Sequence, residues 1–446
     1  MIRIKRLFTF LTITLMAIGA WAQSNGSNSS YSRFGVGILN DQSQGFNRGM
    51  AGVAQGYQSG TQVNMLNPAS YSAIDSLTFI FDAGMGLQVG RLKGNGTSVR
   101  AMNTTLEYIN AGMRLTKGLG MSFGFVPYST IGYNFNESHR VGTNYTTGQT
   151  ISSSTTYYGN GGLHELYLGL GWNPFAGLSI GANIGYLWGD YNHSLAQVFY
   201  EGSSQSLTYN AQNEEWGSDL KTYKLDIGAQ YPIQLNKENM LSLGVTYSLG
   251  HNVGSKVTQI RYTSKGDTIK NEVTKAFDLP HTISAGVTWQ RWKELSEGQR
   301  TRMLTLGADY SLQRWSGCKV PMSHSTLEGN SIEISTTQHN NMHRAAVGAD
   351  YIHDRYGKYH QRMHYRFGAS YATSYVKVNG HDGPKEYRLT AGVGLPLKTN
   401  TRSLINVSFE WLRRSPSTGS HITENYFMAH IGVTFNEQWF MKFRFQ

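Results

Sequence analysis

Fourteen segments of the chain alternate between apolar and polar residues, each over about ten positions, a period typical of β-strands. In the first, "LTFIFDAGMGLQV" (77–89), Leu77, Phe79 and Phe81 share one face, and Thr78 and Asp82 lie on the other. The remaining segments are 106–116, 120–135, 163–172, 177–189, 221–231, 240–250, 281–290, 302–312, 343–353, 363–376, 387–397, 403–412 and 425–435. A tilted strand needs about ten residues to cross a hydrocarbon layer.

The connections between these segments support a membrane barrel over a soluble sandwich, in which strands also alternate. "KGLG", "NPFA" and "KTNTR" are short, whereas 136–162, 190–220, 251–280 and 313–342 are long. Outer-membrane barrels combine short periplasmic turns with long outer loops. The pattern therefore predicts an all-β protein with a 14-stranded antiparallel transmembrane β-barrel at 77–436.

The polar face of each segment is expected to line the lumen. Many of its positions are glycines, which leave room for chain inside the barrel. The charged residues predicted to face the lumen are Asp82, Arg114, Asp226, Asp309, Asp350, Arg366 and Glu410.

The N-terminus predicts export. Residues 1–22 combine a basic start, a short apolar stretch and the small-residue site "AWA", as a secretory signal peptide does. Its removal lowers the formal charge from +11 to +8, because three basic residues are lost. The remaining Lys and Arg form no nucleic-acid-binding motif, so no nucleic-acid partner is expected. We expect the outer membrane of a Gram-negative bacterium, with its lipid and lipopolysaccharide, to surround the barrel.

Residues 23–76 contain too few apolar residues for a separate domain. A Gly-rich segment needs few apolar residues if it lies in a barrel lumen, so we expect residues 23–76 to form a hatch or plug. The alternative is that they form a disordered linker. At the other end, residues 437–446 form either a periplasmic tail or, through "WFMKFRF", the closing strand.

Two motifs before the first strand resemble the long-chain fatty acid transporter (FadL-like) outer-membrane family. They are "GFNRGMAGVAQG" (45–56), which contains Arg48, and "NPAS" (67–70), which contains Asn67, Pro68 and Ala69. The stretches "SSYSRFGVG" and "ENYFMAHIGVTFNEQWFMKFRFQ", near the two ends of the chain, are similar to those of a subgroup of this family that is common in Bacteroidota. The resemblance implies a fourteen-stranded barrel with an N-terminal hatch that ends at the Asn-Pro-Ala motif.

Pro127 interrupts the third segment, "FGFVPYSTIGYNF", between Val126 and Tyr128. Proline lacks an N–H and cannot complete an interior strand ladder. In the resembled family a kink in the third strand opens a lateral hole beside the hatch, so these three residues are expected to shape such an opening. The alternative is an ordinary bulge at the barrel rim.

No catalytic constellation, metal site or cofactor motif is evident, so we expect no enzyme activity. His360 and His364 share a strand face, but no third ligand accompanies them. The resemblance implies passive uptake of a fatty acid or another hydrophobic small molecule, through the hatch and the lateral opening. The alternative function is a non-conducting barrel subunit or scaffold of an outer-membrane secretion or assembly machine, with an outer-membrane or periplasmic protein partner.

Overall fold

The structure is a computed structural model, which describes residues 27–94, 96–175, 177–202, 205–263, 268–294, 300–326, 329–397, 402–417 and 422–438. The predicted signal peptide, 1–22, lies outside the described residues, as does the tail beyond residue 438. Within the described ranges, no helix is both long enough and apolar enough to span a membrane.

Fourteen antiparallel strands, numbered β1 to β14 here, form a closed barrel in the described part of the chain. They are β1 (Thr78–Gly94), β2 (Thr97–Thr116), β3 (Leu119–Pro127), β4 (Thr150–Phe175), β5 (Leu178–Glu201), β6 (Gln205–Asn236), β7 (Asn239–Ser248), β8 (His281–Glu294), β9 (Arg300–Arg314), β10 (Met342–Ile352), β11 (His364–Ala372), β12 (Lys385–Pro396), β13 (Leu404–Ser415) and β14 (Thr423–Gln438). The predicted fourteen-stranded antiparallel barrel is confirmed.

The barrel closes where β14 pairs with β1. The register runs from Thr78 opposite Gln438 to Lys93 opposite Thr423, and β14 also pairs with β13 along its length. Strand β1 therefore has a partner on each of its two edges, β2 and β14, within the residues up to 438. Strand β14 contains the predicted segment 425–435.

Alternation along each strand separates an apolar outer face from a polar inner face. Phe367, Phe409 and Phe427 on the outside are more than half exposed, whereas Asp82 and Glu410 on the inside are nearly fully buried. Successive side chains of a strand point to opposite faces, so the period of two in the sequence becomes this division.

The long connections gather at one end of the barrel, called here the long-loop end; the other is the short-turn end. Two connections predicted as loops, 136–162 and 190–220, are largely β-structure, because β4 and β6 extend to 26 and 32 residues. Thr155, Thr156, Tyr157 and Tyr158 have high β-propensity, which favours continuation of β4 past the apolar band. The other long-loop strands are His251–Val253, Lys256–Thr263, Thr268–Thr274, Phe277–Leu279, Val320–Thr326, Gly329–Ser335, Lys377–Val378 and His381–Asp382.

Residues 27–76, called here the inner segment, pass through the barrel interior. They contain the 3₁₀ helix Ser30–Arg33, the short strand Ile38–Leu39, helix α1 (Gly45–Arg48) and the 3₁₀ helix Pro68–Ala73. One further 3₁₀ helix, Tyr359–Gln361, lies between β10 and β11. Most side chains of the inner segment are buried although many are polar, because the barrel wall surrounds them.

Candidate functional site

The barrel wall changes its pairing at Pro127. Strand β3 pairs with β2 as far as Phe125 opposite Ile109, and with β4 as far as Pro127 opposite His164. After Tyr128 the chain continues as the strand Ser129–Thr143, called here the β3 extension, which pairs with β4. Within the described residues, the upper part of β2 (97–108) pairs with β1 and not with the β3 extension. The wall therefore has a break between β2 and the β3 extension.

Local backbone features explain the break. Pro127 has no N–H to donate, so the regular ladder between β3 and β4 stops at the pair Pro127–His164. Just before His164 in β4, Gly161 and Gly162 adopt φ values of 126° and 138°, which L-residues with side chains rarely adopt. The Tyr128 N–H donates to the Leu163 carbonyl at 2.7 Å and holds the chain to β4 across the change of direction.

The inner segment covers the break from inside. Ile38 and Leu39 pair with Thr130 and Ser129 along the edge of the β3 extension that β2 leaves free. On the opposite side, the Asn28 side-chain amide donates to the Asn103 side-chain oxygen of β2 at 2.9 Å. Residues 28–40 therefore bridge the two sides of the break.

The Asn-Pro-Ala motif forms a compact turn against the wall. Asn67 caps the helix Pro68–Ala73, because its side-chain oxygen accepts a hydrogen bond from the Ala69 N–H at 3.2 Å. The Asn67 side-chain N–H group donates to the Gln55 carbonyl at 2.8 Å and to the Ala229 carbonyl at 3.3 Å. The motif thus joins two parts of the inner segment to β6.

Wall glycines make room for this turn. A Cβ atom built on Gly171, Gly181 or Gly228 would lie under 3.0 Å from atoms of Asn67 or Pro68. Only a residue without a side chain lets the backbones approach this closely. The inner glycines therefore act as contact positions for the inner segment.

The largest apolar cluster includes Val36 of the inner segment, and two smaller apolar clusters also hold the inner segment to the barrel. In the first of the two smaller clusters, Val126 is completely buried just before the strand-three break. Its members are Val63, Met65, Tyr71 and Ile74 of the inner segment, with Ile80, Tyr108, Val126 and Tyr167 of the wall. The second contains Phe46, Met50, Val53 and Tyr57, with Ala346 of β10.

Asp41 anchors the inner segment to the wall electrostatically. Its carboxylate contacts the Arg388 guanidinium of β12 and lies 3.2 Å from the Arg344 guanidinium of β10. Burial acts to raise the pKa of Asp41, but Arg388, Arg344 and Arg48 outweigh it and hold that pKa well below its usual range. Asp41 therefore stays ionised although its side chain is largely buried.

Further ion pairs extend from this anchor around the lumen. Arg48 of helix α1 lies 3.3 Å from Glu107 of β2, and Arg388 lies 3.2 Å from Glu410 of β13. Glu424 of β14 accepts the Ser29 hydroxyl hydrogen bond at 2.7 Å and pairs with Arg414 at 3.3 Å. The network links the inner segment to β2, β10, β12, β13 and β14.

The predicted lumen residues serve different contacts. Asp309 accepts hydrogen bonds from the Ala54 and Gln55 N–H groups at 2.6 and 3.0 Å and so holds the inner segment. The other placements are Asp82 with Tyr108 and Thr434, Asp226 with Lys224 and Ser248, Asp350 with His364 and Arg366, and Arg366 with Asn406. Arg114 lies apart at the short-turn end, where it donates to the Thr116 carbonyl at 3.1 Å.

Sequence reasoning missed the partners of these residues. Glu165 lies 3.3 Å from Lys224, the partner of Asp226. It lies on the inward face of a predicted strand, as Arg344 and Arg388 do, so the alternation contained the signal that places all three inside. Asp41 lies in a stretch without any period, and nothing in the sequence pairs it with Arg388. His360 and His364 do not share a strand face, because His360 lies in the 3₁₀ helix Tyr359–Gln361, whereas His364 begins β11 and pairs with Asp350 at 2.9 Å. The described residues contain no group of three His, Cys, Asp or Glu side chains arranged to hold a metal.

A cavity of about 190 Å³ remains between the inner segment and the wall at the long-loop end. Its lining is rich in charged and hydrogen-bonding side chains, including Asp41, Lys224, Asp226, Asp309 and Arg344. Ligand sites for apolar compounds are lined mainly by hydrophobic and aromatic groups. This cavity is thus chemically suited to water or a polar solute.

Comparison with known proteins identifies both a family and a fold. The family model described as BamG matches residues 1–446. No curated protein is significantly similar to the chain in sequence.

Several solved structures share the fold at low sequence identity. The Ralstonia pickettii toluene transporter TbuX is 16% identical, with a TM-score of 0.55 over 91% of this chain and 98% of that chain. The Pseudomonas putida toluene transporter TodX is 15% identical, with a TM-score of 0.53 over 91% and 100%. A Pseudomonas aeruginosa FadL homologue is 12% identical, with a TM-score of 0.57 over 90% and 99%. These likenesses support the predicted FadL-like architecture, and none of the three is described as an enzyme.

Proposed function

The chain belongs to the BamG family, and from that premise we propose that it is an integral barrel of a Gram-negative outer membrane. The apolar outer face and the closed ring of strands support this placement, because an open strand edge or a polar face is costly in hydrocarbon. The predicted signal peptide would provide export. The long-loop end would face the outside, as in other outer-membrane barrels.

Within that membrane, we propose that the protein is a non-conducting barrel subunit or scaffold of a secretion or assembly machine. The observation that carries this proposal is the filled lumen, where the inner segment is held by Asp41, Asn67, the ion-pair network and close contacts with wall glycines. Sites for apolar compounds are lined mainly by hydrophobic groups, whereas charged side chains such as Asp41, Lys224 and Arg344 line the cavity of about 190 Å³ here. The barrel wall and loops would then serve to hold protein partners.

Two measurements on the intact protein test this proposal. Gentle affinity purification from native outer membrane, followed by mass spectrometry, should recover a stoichiometric protein partner. Single barrels in a planar bilayer should show no conductance above that of the bilayer alone. A lone barrel that carries a fatty acid or another apolar compound would contradict the scaffold proposal.

The strand-three break favours a second candidate, which is passive uptake of hydrophobic small molecules. In this scheme Val126, Pro127 and Tyr128 shape a lateral opening, and Asn67, Pro68, Ala69 and Arg48 belong to a hatch that must move. Residues 28–40 cover the opening and would have to leave the edge of the β3 extension. Related folds described as toluene transporters support this candidate through architecture alone.

A reversible cross-link separates the two candidates. Leu39 and Ser129 are paired Cα partners across the break, so the double substitution Leu39→Cys with Ser129→Cys, in a Cys318→Ser background, would lock the cover. The uptake candidate requires that labelled toluene or oleate uptake be lost in the oxidised protein and restored by a reductant. The control, Asn252→Cys with Asp278→Cys, cross-links paired long-loop residues and leaves the cover free. Uptake that persists through the locked barrel would reject the lateral opening.

A further inference from the structure

The outward faces of β12, β13, β14 and β1 form an apolar groove of about 460 Å³. Leu389, Phe409 and Phe427 are each more than half exposed on this surface. The small side chains of Ala391 and Ala429 lie among them and leave the space that the groove occupies. The groove is thus wide enough for acyl chains and contains almost no polar surface.

A row of arginines crosses the wall just above the groove, toward the long-loop end. The register places Arg100 of β2 opposite Arg91 of β1, Arg91 opposite Asn425 of β14, and Asn425 opposite Arg413 of β13. The next row toward the short-turn end contains Val89, Phe427 and Trp411, about 7 Å away because it lies two residues along each strand. The arginines therefore stand at the mouth of the groove.

These arginines are exposed and face outward. The carboxylates of neighbouring positions, Glu386 and Glu424, point to the lumen and pair with Arg414 there. Alternation along the strand produces this separation, because residue 413 faces out where residue 414 faces in. In the described part of the chain, the outer row thus carries positive charge without a facing carboxylate.

The paired arginines Arg91 and Arg100 indicate an anion-binding site between them. Arg91 and Arg100 lie directly opposite each other on paired strands, an arrangement that destabilises a sheet unless the charge is neutralised. Arg91 donates to the Ser98 hydroxyl at 3.0 Å, which fixes its side chain without neutralising it. Guanidinium groups bind phosphate oxygens through paired hydrogen bonds, so phosphate is well suited to bridge them.

We propose that this surface is a binding site for a phosphorylated, multi-acyl glycolipid of the outer leaflet. Its acyl chains would occupy the groove beside Ala391 and Ala429, and its phosphates would contact Arg91, Arg100 and Arg413. The proposal rests on the outer-membrane placement proposed above, with the long-loop end outside. Charge complementarity and continuity of the groove with the lipid phase favour this occupant over a soluble partner.

The test compares two variants of the full-length barrel that lose equal charge. Arg91→Gln, Arg100→Gln and Arg413→Gln remove the row, whereas Arg140→Gln, Lys221→Gln and Arg314→Gln remove exposed charges outside it. Purified lipopolysaccharide is titrated onto each detergent-solubilised barrel, and the bound lipid is counted by native mass spectrometry. Loss of the row should weaken binding about 100-fold, and the control variant should bind as the wild type does.

Two further arms identify the occupant. Enzymatically dephosphorylated lipopolysaccharide should bind the wild type as weakly as intact lipid binds the arginine variant. In native membrane, a photo-crosslinking residue at the groove (Phe427→p-benzoyl-phenylalanine) should form lipid adducts. Equal binding by both charge variants, or a protein adduct at position 427, would overturn the inference. Because binding is measured on the purified barrel, failure there leaves the membrane placement standing, whereas cell fractionation tests that placement separately.

Discussion

At the scale of single residues, the best-defined element of the site is the contact between Asp41 and the arginines of the wall. Asp41 lies in a stretch with no regular period, yet Arg344 and Arg388 come from two different strands to reach it. A buried charge without a partner is strongly unfavourable, so each of these groups depends on the others. The inner segment is therefore fixed at one point by charge as well as by packing.

Replacement of this carboxylate should loosen the inner segment. We expect Asp41→Asn to destabilise the folded protein by about 3 kcal/mol or less, because Arg388 keeps its contacts with Glu386 and Glu410. The measurement is the thermal transition together with protease cleavage within residues 27–76. Asp190→Asn, at an exposed carboxylate, provides the control. Equal protease resistance in both variants would show that the Asp41 contact does not hold the segment.

Acid should weaken the same contact. The pKa of Asp41 is lowered in the folded protein, so its stabilising contribution is complete above the usual pKa of an aspartate. The contribution is lost as pH falls below that usual value and through the lower folded pKa. Protease access to the inner segment should thus rise in this acidic range in the wild type. In Asp41→Asn the acid-dependent part of that rise should be smaller, and identical profiles would contradict the assignment.

At the scale of elements, the turn Pro68–Ala73 and the wall strands fit each other through missing side chains. Gly181→Ala would place a Cβ under 3.0 Å from the Pro68 backbone, where backbone atoms rather than a flexible side chain must move. We expect a loss of about 1 to 3 kcal/mol, as for other overpacked sites. Gly142→Ala is the matched control, because a Cβ there meets nothing within 4 Å. Thermal transitions of the two variants measure the difference, and equal transitions would argue against close packing of the turn.

The sequence predicts the positions of the strands more completely than it predicts the contacts between the strands and the inner segment. Alternation located all fourteen barrel strands, since each needs one apolar and one polar face. Pro127 marked the strand-three change because a missing N–H is a property of the residue itself. The pairing of Ile38 and Leu39 with the β3 extension depends on the path of an aperiodic segment, which no local pattern encodes. The contacts of Asp41 were missed for the same reason.

At the scale of the whole molecule, the inner segment depends on the barrel wall for its structure much more than the wall depends on the inner segment. The wall is a continuous ladder that β14 and β1 close, and its hydrogen bonds do not require residues 27–70 except at the edge of the β3 extension. The inner segment, in contrast, depends on the wall for almost all of its burial. The barrel should therefore fold without the segment, while the segment should not fold without the barrel.

Deletion of residues 24–70 should turn a closed barrel into a leaky one. The lumen would lose the side chains that fill it, and the polar inner face would admit water and small polar solutes, as in open barrels. We expect single-barrel conductance to appear and small-sugar permeability to rise, with the β-sheet content of the remaining chain retained. Asp41→Asn should give an intermediate, intermittent conductance, because it loosens the segment without removing it. Unchanged permeability after the deletion, in a barrel that circular dichroism shows to be folded, would mean that the inner segment does not close the lumen.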